Sequence, residues 1–397
     1  MQTSATTTSA PQFVCDPQGK IAAVTVSTPE EWNAFAAAFN AEPERFADFV
    51  DVEITALLSF EDTIFICLLE PFSGRIYGKA VEPSEGDTLY VLETDPLIVD
   101  YRSSPYGRYS VDSGLTCGFT EIWKIEGGSL FGCGCEDSIL VIENLLFSDI
   151  GYKNTTEETT AMLVRGTKSL TVTNTVFSCC MFDQISEKNP MFVPNHLLAE
   201  SVDELTVSRM IVADCDLSLW GSVGLLFDTV YANASFSQVA MLGCDIQSSL
   251  FAAESAEDAT LFGILVHGTA DYSDILFFDC HVRGSIASSF GHMGKVGMMK
   301  NICFDRCSFT TDYELPLCFS DTLSGALFFS EKRTEFYAPV DPETVAAFAM
   351  TEAELLTDAE IENVCVTNSV VMLPDGRELA DYRAYGIIVE NCLNIVD

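Results

Sequence analysis

Basic residues are scarce in this chain. Twenty Lys and Arg stand against 59 Asp and Glu in 397 residues, a formal net charge of −39. Such a surface repels nucleic acid and anionic membranes, because affinity for phosphate comes from the Lys and Arg that neutralise it. No apolar run approaches the roughly 20 residues that span a bilayer, so no membrane insertion is expected. The N-terminus lacks a basic stretch followed by an apolar one, so no secretory signal is written here. Its first dozen residues, MQTSATTTSAPQ, read as a flexible tail within a segment 1–20, like the edge of a mature chain. Histidine is rarer still, with His196, His267, His281 and His292 in all. None forms H-E-x-x-H, and no G-x-S-x-G, P-loop or dinucleotide fingerprint occurs. GHMGKVG (291–297) is glycine-rich but lacks phosphate-cradling spacing and reads as a turn. No D-x-D-x-D-G loop marks a calcium site. No cofactor is expected.

Apolar residues are abundant: 48% of the chain, with 28 Phe and 15 Cys. A short phrase recurs through the last two-thirds, an apolar run, then Asn or Asp, then often Cys. Examples are IVADCDL (211–217), VAMLGCDI (239–246), ILFFDCHV (275–282), CFDRCSF (303–309) and IIVENCL (387–393). Cys-free versions are VIENLLF (141–147), LTVTNTVF (170–177) and VCVTNSVV (364–371). The residue after the Asn/Asp slot falls at 145, 175, 215, 244, 280, 307, 369 and 392, giving gaps of 30, 40, 29, 36, 27, 62 and 23. A period near 31 made of short β-rich pieces predicts a solenoid, in which each repeat packs on its neighbours. No leucine-rich, propeller or helical-repeat signature competes. The expectation is all-β: a right-handed parallel β-helix of about ten coils, stacked about 4.8 Å apart.

One domain, 21–397, is expected. Thr28 suits an N-cap, Pro29 the first helical position, and Trp32, Phe35, Ala36 and Phe39 share one face, which predicts a capping helix over 28–40. It would cover the open end of the first coil. Excursions from the stack are expected at 83–120, 181–201 and 331–360.

These residues resemble the GLUG-motif family of bacterial surface β-helices, within the wider pectate-lyase-like architecture. STPEEWNAFAAAFN (27–40) is similar to its opening helix, FSGRIYG (72–78) and SLFGCG (129–134) to two of its elements, and FGILVHGTADYSDILFFDCHVRG (262–284) to a full repeat. Weaker copies lie at 161–178 and 223–248. The second glycine of the name motif is often lost, as in VGLLFD and GALFFS. The resemblance implies a surface or secreted module of structural or adhesive kind, not catalysis.

Candidate chemistry is thin. Cys215, Cys244, Cys280, Cys307 and Cys392 occupy the marker position, where free Cys serves as a small buried side chain. Disulfides between neighbours such as Cys215–Cys244 and Cys280–Cys307 are the rival, since stacked Cα atoms fall inside bridging range. Cys133 and Cys135, Cys179 and Cys180, and Cys303 with Cys307 lack the paired knuckles of a zinc site. A polysaccharide lyase or glycoside hydrolase is the enzymatic alternative. Its usual carboxylate motifs are missing, NTV (174–176) and GHM (291–293) being the nearest strings, and the basic cluster is Lys295, Lys300 and Arg306 beside Asp279 and Asp305. Carboxylates from different coils can still meet. Asp214, Asp279, Asn174 and Asn391 are read as bend residues, and Tyr101, Tyr106, Tyr109 and Tyr337 as loop anchors or sugar-stacking rings. No catalytic, cofactor-binding or metal residue is nominated. The functional expectation is a non-catalytic, adhesin-like extracellular module binding a protein or glycan.

Overall fold

The computed structural model describes residues 10–79, 113–117, 123–125, 129–132, 135–154, 160–183, 195–220, 224–249, 259–284, 286–288, 295–311, 360–367 and 369–372. These residues are mostly β, with one α-helix. Their strands form two long sheets, one of 16 strands and one of 8. In the larger, Phe46–Ile54, Gly74–Gly78, Cys135–Glu143, Val164–Ser178, Ala199–Ala213, Ala234–Leu242, Thr269–Phe278, Lys295–Asp305 and Glu360–Thr367 lie side by side, each parallel to the next. The smaller runs in the same chain order, from Trp123–Ile125 through Met181–Asp183, Asp245–Ser249 and His281–Gly284 to Val370–Met372. Each repeat therefore adds one rung to both sheets. Among the described strands, Gln12–Cys15 is the antiparallel one in the main sheet, joined by a hairpin to Ile21–Val26.

Alternation places the core. Along Ala234–Leu242, Ala234, Phe236 and Val239 are buried, while Ser235 is exposed. A single apolar cluster takes side chains from both sheets, from Ile21 to Cys307. Equivalent rings stack between rungs, as in Phe147 on Phe177 at 5.0 Å and Phe277 on Phe304 at 4.4 Å. Such pairs add to what burial contributes.

The helix Pro29–Ala41 starts at Thr28, whose hydroxyl accepts from the Glu31 amide. It buries Trp32, Phe35, Ala36 and Phe39. The Trp32 ring stacks on Phe65 and meets Phe131 edge-on, and its Nε1 donates to Ile66 O at 3.0 Å.

Each repeat turns at two left-handed residues, five apart. The first set is Asn144, Asn174, Arg209, Gln238, Asp274 and Asn301; the second is Asp149, Cys179, Asp214, Gly243, Asp279 and Arg306. All have φ between 49° and 59°. Asn, Asp and Gly adopt this region at least cost, which accounts for the polar slot of the repeat. Here the marker spacing needs correction. Positions 145 and 175 follow the first corner, whereas 215, 244, 280 and 307 follow the second. Register pairs Thr175 with Met210, not with Cys215. The 40-residue gap thus mixes two corners of one repeat, because both carry Asn or Asp before an apolar residue. Within the expected excursions, residues 114–116, 181–183, 195–196 and 199–201 are strands. Residues 83–112, 118–120, 184–194 and 331–359 lie outside the described residues, and Glu360 begins the strand Glu360–Thr367.

Between the corners run four residues, mostly apolar on both sides. Ile275 and Phe277 point to the main core, while Leu276 and Phe278 join Val176, Ile211, Ala213, Ala240 and Leu242 in a second buried cluster.

Candidate functional site

The outer side of the main sheet changes character along the stack. Register aligns two outward rows, Asp51–Arg75–Val141–Thr171–Thr206–Ser235–Asp271–Met298 and Glu53–Tyr77–Glu143–Thr173–Ser208–Ser237–Ser273–Lys300. At the ends the charges pair with one another. Arg75 Nε lies 2.6 Å from Glu143 Oε2 and its guanidinium sits over the Tyr77 ring, while Lys300 Nζ lies 2.6 Å from Glu362. Burial, then Glu53 and Asp51, push the Tyr77 phenol up. Between these ends, four adjacent strands present Thr171, Thr173, Thr206, Ser208, Ser235, Ser237 and Ser273, with Asp271 the one charge that these four strands add to the rows. All are at least partly exposed. Thr173 Oγ1 and Ser208 Oγ are 2.9 Å apart. Inward residues Val172, Val207, Phe236 and Tyr272 are buried beneath them and hold the lattice in place. In a chain of −39, this window carries a single charge, that of Asp271.

Beside the window, Asn233 Nδ2 donates to Glu204 at 3.4 Å and its Oδ1 accepts from the Thr269 amide. Tyr231, 56% exposed, stacks on His267 at 5.5 Å and 12°. Burial lowers the His267 pKa. The face offers rows of donors and acceptors at strand spacing.

Two other arrangements carry potential chemistry. His281 Nδ1 is 2.8 Å from Ser308 Oγ on the adjacent strand, and Asp245 is the register partner of His281 on the other side. Asp245, however, is held by Arg283 at 3.3 Å, and the His281–Ser308 pair is exposed. A working triad needs its acid on the imidazole and preorganised donors for an oxyanion. Near the helix, a groove of about 310 Å³ gathers Glu44, Asp48, Asp137 and Lys20. All three carboxylates are exposed there.

The basic cluster anticipated from sequence is dispersed: Lys300 is committed to Glu362, and Arg306 lies over the Phe278 ring. Asn174, Asp214 and Asp279 are left-handed corner residues. Tyr101, Tyr106, Tyr109, Tyr337, His292, Cys133, Asn391 and Cys392 lie outside the described residues. No group of three metal-ligating side chains occurs among the described residues.

The cysteines form a column. Cys180, Cys215, Cys244, Cys280 and Cys307 follow the second corner on five successive rungs, free and buried, with Ser369 next in line. Each thiol donates to the carbonyl two residues back, at 3.6, 3.2, 3.5, 3.5 and 3.5 Å in that order. Cys180 N donates to Cys215 Sγ at 3.3 Å, and Cys307 N to Ser369 Oγ at 3.0 Å. The five carbonyls also accept a main-chain bond from the corner amide of the preceding rung, so the thiols add a second bond to them, whereas the Cys180 and Cys307 amides are paired through the column itself. Burial raises Cys215, and hydrogen bonding with Cys244, together with burial, raises Cys280. A Cys215 or Cys280 proton turned from its carbonyl toward Cys244 favours the Cys244 thiolate over their own. For the column as one coupled system the direction is upward, because a thiolate there would be buried facing only other thiols. The sequence spacing marks Cys215, Cys244, Cys280 and Cys307 as stacked, with small buried side chains and neighbour disulfides as the two readings; the described thiols are free, and Cys180 joins them. The outer hydroxyl rows were missed, although TVT (171–173), TVS (206–208) and SFS (235–237) stand in the sequence.

No helix among the described residues is long and apolar enough to cross a membrane. Set against known protein families, curated proteins and solved structures, the chain matches none of them.

Proposed function

We propose that the chain is a right-handed parallel β-helix acting as a non-catalytic, adhesin-like module at a cell surface or in secreted form, of the kind the GLUG-motif resemblance implies. It binds an extracellular partner through the hydroxyl window, and a glycan suits that window better than a protein. The observation that carries this reading is the regular Thr/Ser lattice, with Asp271 its one charge, on an otherwise acidic molecule. Hydroxyl rows exchange hydrogen bonds with polyol ligands without the desolvation penalty of charged groups. They also offer no counter-charge to an anionic polymer, so neutral glycans are the expected class.

A glycan array paired with a turnover assay tests it. Binding without cleavage is expected, and Thr206→Glu with Ser235→Glu should abolish binding while the circular dichroism spectrum stays unchanged. Binding that survives the double substitution moves the site elsewhere. Cleavage of the bound glycan supports the alternative reading, a carbohydrate-active β-helix enzyme. Asp137→Asn and Ser308→Ala would then tell which of the two other arrangements acts.

A further inference from the structure

We infer that the N-terminal strand Gln12–Cys15 is a self-association edge, where two copies of this chain join end to end. The strand is the last in the order of the 16-stranded sheet, paired on one side to Ile21–Val26. Among the described residues no strand pairs with its other side. All four of its residues are exposed, Phe13 at 41% and Val14 at 60%. An apolar edge strand without charge or proline is a template for another strand. Of the nine exposed large apolar side chains described, six (Phe13, Val14, Phe49, Leu57, Ile64 and Leu69) fall within residues 13–69.

Charge selects a second copy as the occupant. Residues 1–15 contain no Asp, Glu, Lys or Arg, although the chain as a whole carries −39. The edge therefore offers nothing to attract a basic partner. A two-fold axis through the strand would bring two uncharged segments together, antiparallel. The two acidic stacks would then extend away from each other, which minimises their repulsion. Such an isologous contact closes on itself and yields a dimer, not a fibre.

Sedimentation equilibrium on the full chain, from about 1 to 100 μM, tests this. A reversible dimer that tightens as salt screens the net charge is expected. Val14→Glu and Val14→Lys should each weaken it at least tenfold, with unchanged circular dichroism and melting temperature, because Val14 buries little in the monomer. A monomer throughout the range overturns the inference, as does a dimer indifferent to both substitutions. So does a dimer that vanishes with reductant or in Cys15→Ser, which would be a disulfide artefact of the exposed thiol.

Discussion

At the scale of the residue, the thiol column shows why Cys recurs where Ser or Ala would also fit. Each sulfur fills a buried site and bonds a carbonyl two residues back, and at Cys180 and Cys307 the next rung's side chain takes the corner amide. Ser369 Oγ accepts from the Cys307 amide and donates to Phe304 O, both on the preceding rung. Cys244→Ser is therefore expected to cost less than Cys244→Ala, which leaves the buried Cys215 amide without its acceptor at about 1–3 kcal/mol. Urea midpoints of the two variants measure this. The column is also expected to resist thiol reagents in the native state, while exposed Cys15 reacts quickly. Counting reactive thiols before and after denaturation checks it, and column disulfides would show as a deficit after denaturation. His196 is a second buried polar residue, with Nδ1 2.6 Å from Gly224 O and Nε2 without a hydrogen-bond partner. Burial lowers its pKa, against smaller raising effects of Asp228 and the Gly224 bond. Since the folded value lies below the unfolded one of about 6.5, the unfolded state binds the proton first. The stability it supports is present above about pH 6.5 and falls as pH drops below it, by up to about 1.4 kcal/mol per unit. The pH slope of ΔG between 7 and 5 should flatten in His196→Leu.

At the scale of the element, the repeating unit is a pair of left-handed corners held five residues apart. Asn144 and Asn174 serve the first corner twice over, adopting the conformation readily and bonding each other, with Asn174 Nδ2 donating at 2.7 Å. Asn301 and Asp274 repeat the bond at 2.7 Å. Arg209, exposed with φ 51°, occupies the same corner without that advantage. Left-handed backbone costs a branched or long side chain about 1 kcal/mol. Arg209→Asn is expected to recover part of it, as a higher melting temperature. The Asn/Asp slot was legible in sequence because the corner restricts which residues fit. Telling the two corners apart was not, because register is decided by which rung each residue faces.

At the scale of the whole molecule, self-repulsion opposes the compact state. Adding salt should raise the melting temperature, most steeply at low ionic strength where the Debye length is long. Scanning calorimetry between about 0.01 and 0.5 M NaCl reads the effect. A flat response would mean that the paired ends of the sheet, Arg75 with Glu143 and Lys300 with Glu362, already balance the field near the strands.

The sequence by itself determined that this chain is β-rich, repeats with a period near 31 and carries a capped amphipathic helix near its N-terminal end. Those features are written in local patterns: strand alternation, residues that tolerate left-handed backbone, and helical spacing after Thr28. It also determined the excess of negative charge. Which residues share a face was decided by tertiary structure alone. Thr171, Thr206 and Ser235 are about 30 residues apart along the chain and become neighbours through parallel register. The bonds that give the thiols a role are likewise made between rungs or back across a corner. Short-range pattern reports the conformation of each repeat, while the chemistry of the surface arises from the stacking of one repeat on the next.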